Sequence, residues 1–449
     1  MVHESRTNLL NELPIRRGDY VLYWMQQSQR AACNHALECA SGQANELQQP
    51  LIVVFGLTDA FPEANARHYR FMLEGLRETR DDLAARGLQL VVRRGSPQQV
   101  AVEASEAASL VVADRGYLRV QRQWRQHVAR HAKCRVVQVE SDVVVPVDVV
   151  SGKEEYAART IRPKIRRHLA EYLAPLRETP VRRDSLGLDL GGIDLGDVDP
   201  VLGALDIDQA VLPGGFHGGA SEARRLLREF VDQRLAGYAD LRNQPALDHT
   251  SHLAPYLHFG QISPLEVALA VSRHGNEGAE AFLEELIVRR ELSMNFAERN
   301  PHYDAVEGLP EWARATLARH TKDRREYVYS LETLERAETH DPYWNAAQRE
   351  MVARGVMHNT MRMYWGKKLI EWSPTPQEAF RRALYLNNRY ELDGRDANSF
   401  AGVAWCFGKH DRPWQERPTF GTVRYMNARG LERKYDMEAY VRRVRALAP

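Results

Sequence analysis

LIVVFGL (51–57), ARHYRFMLEGLRETRDDLAARG (66–87) and LQLVVR (88–93) follow one another, with eight residues between the first two and none between the last two. An unbroken apolar run flanked by turn residues reads as a strand buried on both faces, whereas apolar residues spaced three and four apart read as a helix with one buried stripe. The succession is therefore strand, helix, strand, the unit of a parallel sheet. The same grammar recurs on both sides. VLYWM (21–25), LVVAD (110–114) and RVVQVESDVVV (135–145) read as further buried strands, and SPQQVAVEASEAA (96–108) as a helix opened by Ser96 with Pro97 at its first position. This predicts a doubly wound, Rossmann-like α/β domain. No G-x-G-x-x-G follows the first strand, so a dinucleotide of the NAD type is not expected there, while the carboxyl edge of the sheet stays open to another ligand.

Two Gly-rich stretches, DSLGLDLGGIDLGDVDPVLGALD (184–206) and LPGGFHGGA (212–220), interrupt the pattern. From Ser221 the period changes. SEARRLLREFVDQRLAGYADLR, SPLEVALAVSRHG, EAFLEELIVRRELSMNFAERN and TMRMYWGKKLIEW carry apolar residues at helical spacing, so the second half is predicted to be all-α. The expected division is an α/β domain over 1–177, a linker over 178–220 and a helical domain over 221–449. SPLE (263–266) predicts a helix start with Ser263 as cap, Pro264 in the first turn and Glu266 closing a capping box.

Composition narrows the function. The 449 residues hold 61 Lys plus Arg against 60 Asp plus Glu, a net charge of +1, so binding to a polyanion would need a local patch. Only eight of the basic residues are lysine, which makes arginine clusters less telling than usual. The basic run IRPKIRRHL (161–169) is read as a solvated helix rather than a nucleic-acid contact. Cys33, Cys39, Cys134 and Cys406 form no C-x-x-C pair, which argues against a disulfide framework, a structural zinc or an iron–sulfur cluster. No metal site, P-loop or Ser/His/Asp set is expected, and no stretch is long and apolar enough to span a membrane. The chain is expected to be soluble and intracellular, cytoplasmic if prokaryotic.

THDPYWNAAQREMVARGVMHNTMRMYWGKKLIEW (339–372) and YLNNRYELDGRDANSFAGVAWCFGKHDRPW (385–414) make the sequence recognisable. It resembles the class II cyclobutane-dimer photolyases, and the likeness extends through SHLAPYLHFGQIS (251–263), FLEELIVRREL (282–292) and ERPTFGTVRYMN (416–427). More loosely it reaches YWMQQSQRAACNHAL (23–37) and EEYAARTIRPKI (154–165) in the first domain. The resemblance implies an FAD enzyme that repairs pyrimidine dimers in double-stranded DNA under blue light. Excited, fully reduced FAD would donate an electron to the flipped dimer and recover it after both cyclobutane bonds break.

Trp365 and Trp372 are seven residues apart on one predicted helix, so they share a face about 10.5 Å apart along the axis. Three tryptophans on apolar faces are ordinarily core packing. The resemblance instead implies an electron-hopping chain to the flavin, Trp365 nearest, Trp344 intermediate and Trp372 outermost. The segment Thr250, Ser251, His252, Leu253 and Ala254 precedes a helix whose free N–H groups favour an anion. By resemblance it is the FAD diphosphate loop, joined by Tyr238, with Ala254 where relatives often carry a hydroxyl. Asn387 corresponds to the amide that accepts from flavin N5–H. Asp393 is expected to pair with Arg362 at the cofactor, with Gly394 and Arg395 completing the same turn.

Lesion recognition needs a group that bonds pyrimidine edges and an apolar wall, because the dimer must leave the stack. Glu285 is implied as the first, Trp405 and Met363 as the second. Glu284 is expected in solvent. Arg289 stands where some relatives carry a tryptophan, so a guanidinium plane is expected to replace part of that wall. Arg242, Trp414, Arg424 and Arg429 are candidates for contact with the duplex. Relatives also carry a deazaflavin or folate antenna in the sheet domain, and no residue set in the sequence selects between them. A monomer is expected. The alternatives are a cryptochrome-like flavin photoreceptor without repair activity, a photolyase of the (6-4) lesion and, outside the family, a nucleotide-binding adaptor with a helical interaction domain.

Overall fold

The computed structural model describes residues 2–447. Six strands form one sheet: β1 (Thr7–Leu9), β2 (Tyr20–Trp24), β3 (Leu51–Leu57), β4 (Gln89–Arg94), β5 (Ala108–Asp114) and β6 (Arg135–Val139). Their order is β1-β6-β5-β2-β3-β4, parallel except for the β1 edge. The chain winds outward from β2 through β3 and β4, then crosses back to β5 and β6. That reversal leaves a crevice at the carboxyl ends of the central strands. Helices His35–Leu47 and Ala66–Ala85 cover one face, and Pro97–Ser105 and Arg119–His131 the other. The α/β expectation holds.

One strand is shorter than its sequence suggests. β6 ends at Val139, and the buried Val143, Val144 and Val145 leave the sheet. Their backbone is satisfied by side chains instead: Glu291 accepts from the amides of Val144 (2.6 Å) and Val145 (3.2 Å), and the Arg6 guanidinium donates to the carbonyl of Val143 (3.2 Å). An apolar run reports burial, and not ladder pairing. Two caps also differ in detail. Ser96 precedes Pro97 without a side-chain bond, and Glu266 turns to Arg224 (2.7 Å) while Ser263 alone caps its helix.

The segment 178–220 runs along the α/β domain, with the Ser185 amide on the Gly87 carbonyl (2.9 Å) and the Ile193 amide on the Val92 carbonyl (2.7 Å). Its short helix Val198–Gly203 buries Val198, Val201 and Leu202 against the sheet domain. From Ala220 on, the chain is helical. Buried arginine joins the two halves: Arg67 donates to the carbonyls of Tyr390 (2.7 Å), Met351 (3.2 Å) and Leu212 (2.7 Å). Gly260, at φ +68°, lets the 26–28 turn approach, since a Cβ there would lie 2.0 Å from the Gln27 carbonyl oxygen. Among the described residues no helix is long and apolar enough to cross a membrane.

Candidate active site

Asp341 caps the helix Pro342–Arg354, accepting from the amides of Tyr343 and Trp344 (both 3.0 Å), and its second oxygen takes the Tyr364 hydroxyl. This ties the start of that helix to the helix Asn359–Trp372 and sets Trp344 between Trp365 and Trp372. All three indoles are at most 1% exposed. Trp344 lies parallel to Trp365, with ring centroids 6.3 Å apart and planes 8° apart, and meets Trp372 edge-on at 5.6 Å. Gly366 lets the helix Ala397–Cys406 press against this stack, because a Cβ would stand 2.5 Å from Cys406 Sγ.

Beyond Trp372 the rings continue. Tyr329 and His340 meet its edge at 5.3 and 5.4 Å, the Tyr329 hydroxyl is 2.6 Å from His340 Nδ1, and Tyr327 stacks on His340 at 3.9 Å. Tyr327 is 39% exposed, so aromatic rings run from the interior to solvent. These three residues were absent from the sequence-based set. Tyr327 and Tyr329 lie in EYVYS (326–330), which carries no helical period that would flag it, whereas His340 sits within the quoted THDPYW motif.

A second group surrounds Asn387. Its Nδ2 donates to Ser399 Oγ (2.5 Å) and Asn388 Oδ1 (3.2 Å), which leaves Oδ1 as a buried acceptor. The expected Arg362–Asp393 ion pair is present at 3.8 Å, and Arg362 makes a second, shorter one with Glu391 that the sequence did not announce. Glu391 is fully buried, and burial pushes its carboxyl well above the usual range while Arg362 pulls it down. The guanidinium goes to the carboxylate that has least water. Asn387 Oδ1, Arg362 Nε, Glu391 Oε1 and Asp393 Oδ1 are all buried without a hydrogen-bond partner among the described residues. Buried polar atoms are almost always paired, so a cluster of orphans marks the lining of a polar ligand site. An amide oxygen, a guanidinium N–H and carboxylate oxygens together suit a ring edge that both donates and accepts, as a flavin edge does. The residues present fit FAD. Gly394 and Arg395 stand behind them; Arg395, at φ +62°, donates to the Asn388 carbonyl (2.8 Å) and lines a cavity at the sheet edge.

The loop ahead of the helix Ala254–His258 holds two non-glycine residues in left-handed backbone, Asp248 (φ +49°) and His252 (φ +57°). Thr250 and Ser251 are half-buried, Leu253 is buried, and Ser251 Oγ accepts from the Leu253 amide at 3.4 Å. Asp248 receives His252 Nε2 (3.3 Å), Arg354 (3.1 Å) and Arg443 (3.0 Å). Burial alone would raise its carboxyl, but His252, Arg354 and Arg443 outweigh that and hold it well below the usual range. Tyr238 is buried beside the loop, edge-on to Phe230 (5.5 Å) and Phe282 (5.4 Å).

The helix carrying Glu285 widens into a π-helical turn over Glu284–Arg289, a distortion frequent at functional sites. Glu285 pairs with Arg242 (2.7 Å), whose guanidinium lies 5.7 Å from the Tyr238 ring. Glu284 is not the solvent residue expected. It is held by Arg162 (2.6 Å) and lies 3.5 Å from Arg289, and its side chain is less exposed than that of Glu285, 24% against 35%. The reason is a partner 122 residues away that no local pattern announces. Arg289 stacks on Trp405 at 5.3 Å, so one helical turn carries both the Glu285–Arg242 pair and the Arg289–Trp405 stack. Met363 lies beside it, its Sδ 3.9 Å from Cys406 Sγ. Trp414 projects from the turn Asp411–Thr422, 39% exposed, flanked by Arg412 (4.7 Å) and Arg424 (5.2 Å). Arg429 is exposed on the next short helix, Ala428–Glu432.

Comparison with known proteins agrees with this arrangement. The family model described as DNA photolyase matches residues 21–181. A deoxyribodipyrimidine photo-lyase of Methanothermobacter thermautotrophicus is 53% identical over 448 residues, covering 100% of this chain and 99% of that protein. One from rice, Oryza sativa subsp. japonica, is 41% identical over 99% of this chain and 91% of its own. Among solved structures, a bacterial class III photolyase from Agrobacterium tumefaciens superposes with a TM-score of 0.73 at 22% identity, covering 96% and 87% of the two chains, which supports the fold. With identity above one half across its whole length to such a relative, the chain belongs to the DNA photolyase family, on its class II branch.

Proposed function

We propose that this protein repairs cyclobutane pyrimidine dimers in double-stranded DNA, acting as a monomer on a dimer rotated out of the helix. The observation that carries the reading is a pair of side-chain groups in the helical half. Orphaned polar atoms around Asn387 suit a flavin, and Glu285, Arg242, Arg289 and Trp405 suit a flipped pyrimidine pair. FAD, when bound and reduced, supplies the photoexcited electron that opens the cyclobutane ring.

The chain supplies the rest. Asn387 Oδ1 is an uncharged acceptor for N5–H, so it holds the reduced ring without adding charge beside it. Arg362, between Glu391 and Asp393, offers its free Nε as a donor. Glu285 accepts from pyrimidine N–H groups, and Arg242 keeps that carboxylate oriented. Arg289 over Trp405 walls the pocket and excludes water. Trp365, Trp344 and Trp372, each in contact with the next, carry electrons inward from the surface. Trp414, between two arginines, fills the gap in the duplex left by the rotated dimer.

An antenna belongs in the cavity of about 100 Å³ at the carboxyl ends of β2 and β3. Trp24, Phe61, Trp124 and Arg395 line it, and Gln26 and Gln29 present buried amide atoms with no partner among the described residues. Neutral amides suit the pyrimidinedione or pterin edge common to deazaflavin and folate chromophores. The space is smaller than about 150 Å³, a volume that holds benzene, so a fused ring enters only if Phe61 parts from Trp124. The function is tested by illuminating ultraviolet-damaged DNA with the reduced holoenzyme and counting dimers against a dark control.

A further inference from the structure

Asp248 and Glu350 face Arg354 and Arg443 across a compact four-charge cluster. Arg443 donates to Asp248 through Nη1 (3.0 Å) and to Glu350 through Nη2 (2.6 Å), and Arg354 reaches the same two carboxylates at 3.1 and 3.7 Å. Glu350 is 2% exposed and also accepts from the Tyr440 hydroxyl (2.8 Å) and the His358 amide (3.4 Å). Asp248 belongs to the loop that leads into Thr250 and Ser251; His358 caps the helix that carries Trp365. Arg443 and Tyr440 lie on the helix Met437–Arg445, remote in sequence from both.

The loop needs such a brace. Non-glycine residues at φ +49° and +57° sit in a sparsely populated region that persists only where the surroundings over-determine it. Besides His252 of the same loop, Arg354 and Arg443 are the side chains that fix Asp248 among the described residues.

We propose that the helix Met437–Arg445 is a clasp on the cofactor loop, with Arg443 as the positioning residue that holds Asp248 and Glu350 together and so sets how fast FAD leaves. The inference rests on the reading of 250–254 as the diphosphate loop. Undocking of this helix is the step that frees the loop, and docking closes it over the cofactor.

The test measures FAD release from the purified holoenzyme by the rise in free flavin fluorescence, well below the melting temperature, with apoprotein melting recorded alongside. Arg443→Gln is expected to release FAD about tenfold faster, within the usual range for coupling between sites. Arg443→Lys, which reaches one carboxylate at a time, falls between. Arg442→Gln, on the solvent side of the same helix, leaves release unchanged. Asp248→Asn also accelerates release, and Arg443→Gln adds no more than about twofold on that background, because both act through one contact. If Asp248→Asn leaves release unchanged, the loop reading fails. Acceleration by Asp248→Asn but not by Arg443→Gln overturns the clasp alone, as does full additivity of the two.

Discussion

Trp344 donates its indole N–H to the main-chain carbonyl of Trp365 (3.1 Å) while its ring lies parallel to that of Trp365 at 6.3 Å. One hydrogen bond therefore fixes both the spacing and the tilt of two oxidisable rings. Trp365 is anchored in turn through Nε1 to Gln348 (2.9 Å), one turn along the helix that carries Trp344. Van der Waals proximity in a rigid core is what electron hopping requires.

Trp365→Phe should stop photoreduction of the oxidised flavin while chemically reduced enzyme repairs at the wild-type rate. Transient absorption and single-turnover repair separate the two. Trp344→Phe should also block photoreduction and cost about 1–3 kcal/mol of stability, from the lost hydrogen bond and the unfilled space. Wild-type photoreduction in either variant contradicts the assignment of the chain.

Glu285→Gln should weaken binding of a dimer-containing duplex by about 1.5–3 kcal/mol, or roughly 10- to 100-fold, with little effect on undamaged DNA. Arg242→Gln should weaken binding of the dimer-containing duplex too and, if Arg242 meets a phosphate, weaken binding of undamaged duplex as well and flatten the salt dependence by about 0.9 in the slope. Fluorescence anisotropy across a salt series gives both quantities. A loss equal for damaged and undamaged duplex argues against Glu285 as a lesion contact.

Trp414→Ala removes a side chain that packs between Arg412 and Arg424 and leaves the core untouched. The melting temperature should stay within about a degree, consistent with a surface substitution. Affinity for the damaged duplex should fall by about 1–3 kcal/mol if the indole stacks on a base.

Lys367 is fully buried, and its Nζ donates to the Cys406 carbonyl. Burial pushes its ammonium down to about 8 from 10.5. The folded state therefore releases this proton before the unfolded chain does, and stability from this group rises between about pH 8 and 10.5, at up to about 1.4 kcal/mol per pH unit. Lys367→Met should abolish that rise and melt no lower than the wild type at pH 7. Denaturant unfolding at pH 7, 8 and 9.5 checks it.

The sheet was legible because β2, β3 and β5 are continuous apolar runs buried on both faces, and the helical half because its stripes repeat at helical spacing. Val143–Val145 misled, since an apolar run fits a buried loop as well as a strand when side chains such as Arg6 and Glu291 satisfy the backbone. Within the candidate site, the long motifs named Trp344, Trp365, Trp372, Asn387 and Glu285. They did not give the partners: Glu391 rather than Asp393 as the close partner of Arg362, Arg162 on Glu284, Arg443 on Asp248. Those depend on residues up to 195 positions apart and on which carboxylate loses most water, neither of which a local pattern records. The π-helical turn at Glu284–Arg289 likewise has no signal in FLEELIVRREL.

The most direct measurement is repair of a single lesion. An oligonucleotide with one cyclobutane thymine dimer is mixed with the reduced holoenzyme, and thymine absorbance is followed under blue light and in the dark. Restoration in the light alone, unaffected by Trp365→Phe, is the result expected. Bound flavin that is photoreduced normally while the dimer persists contradicts the account and leaves a light sensor in its place.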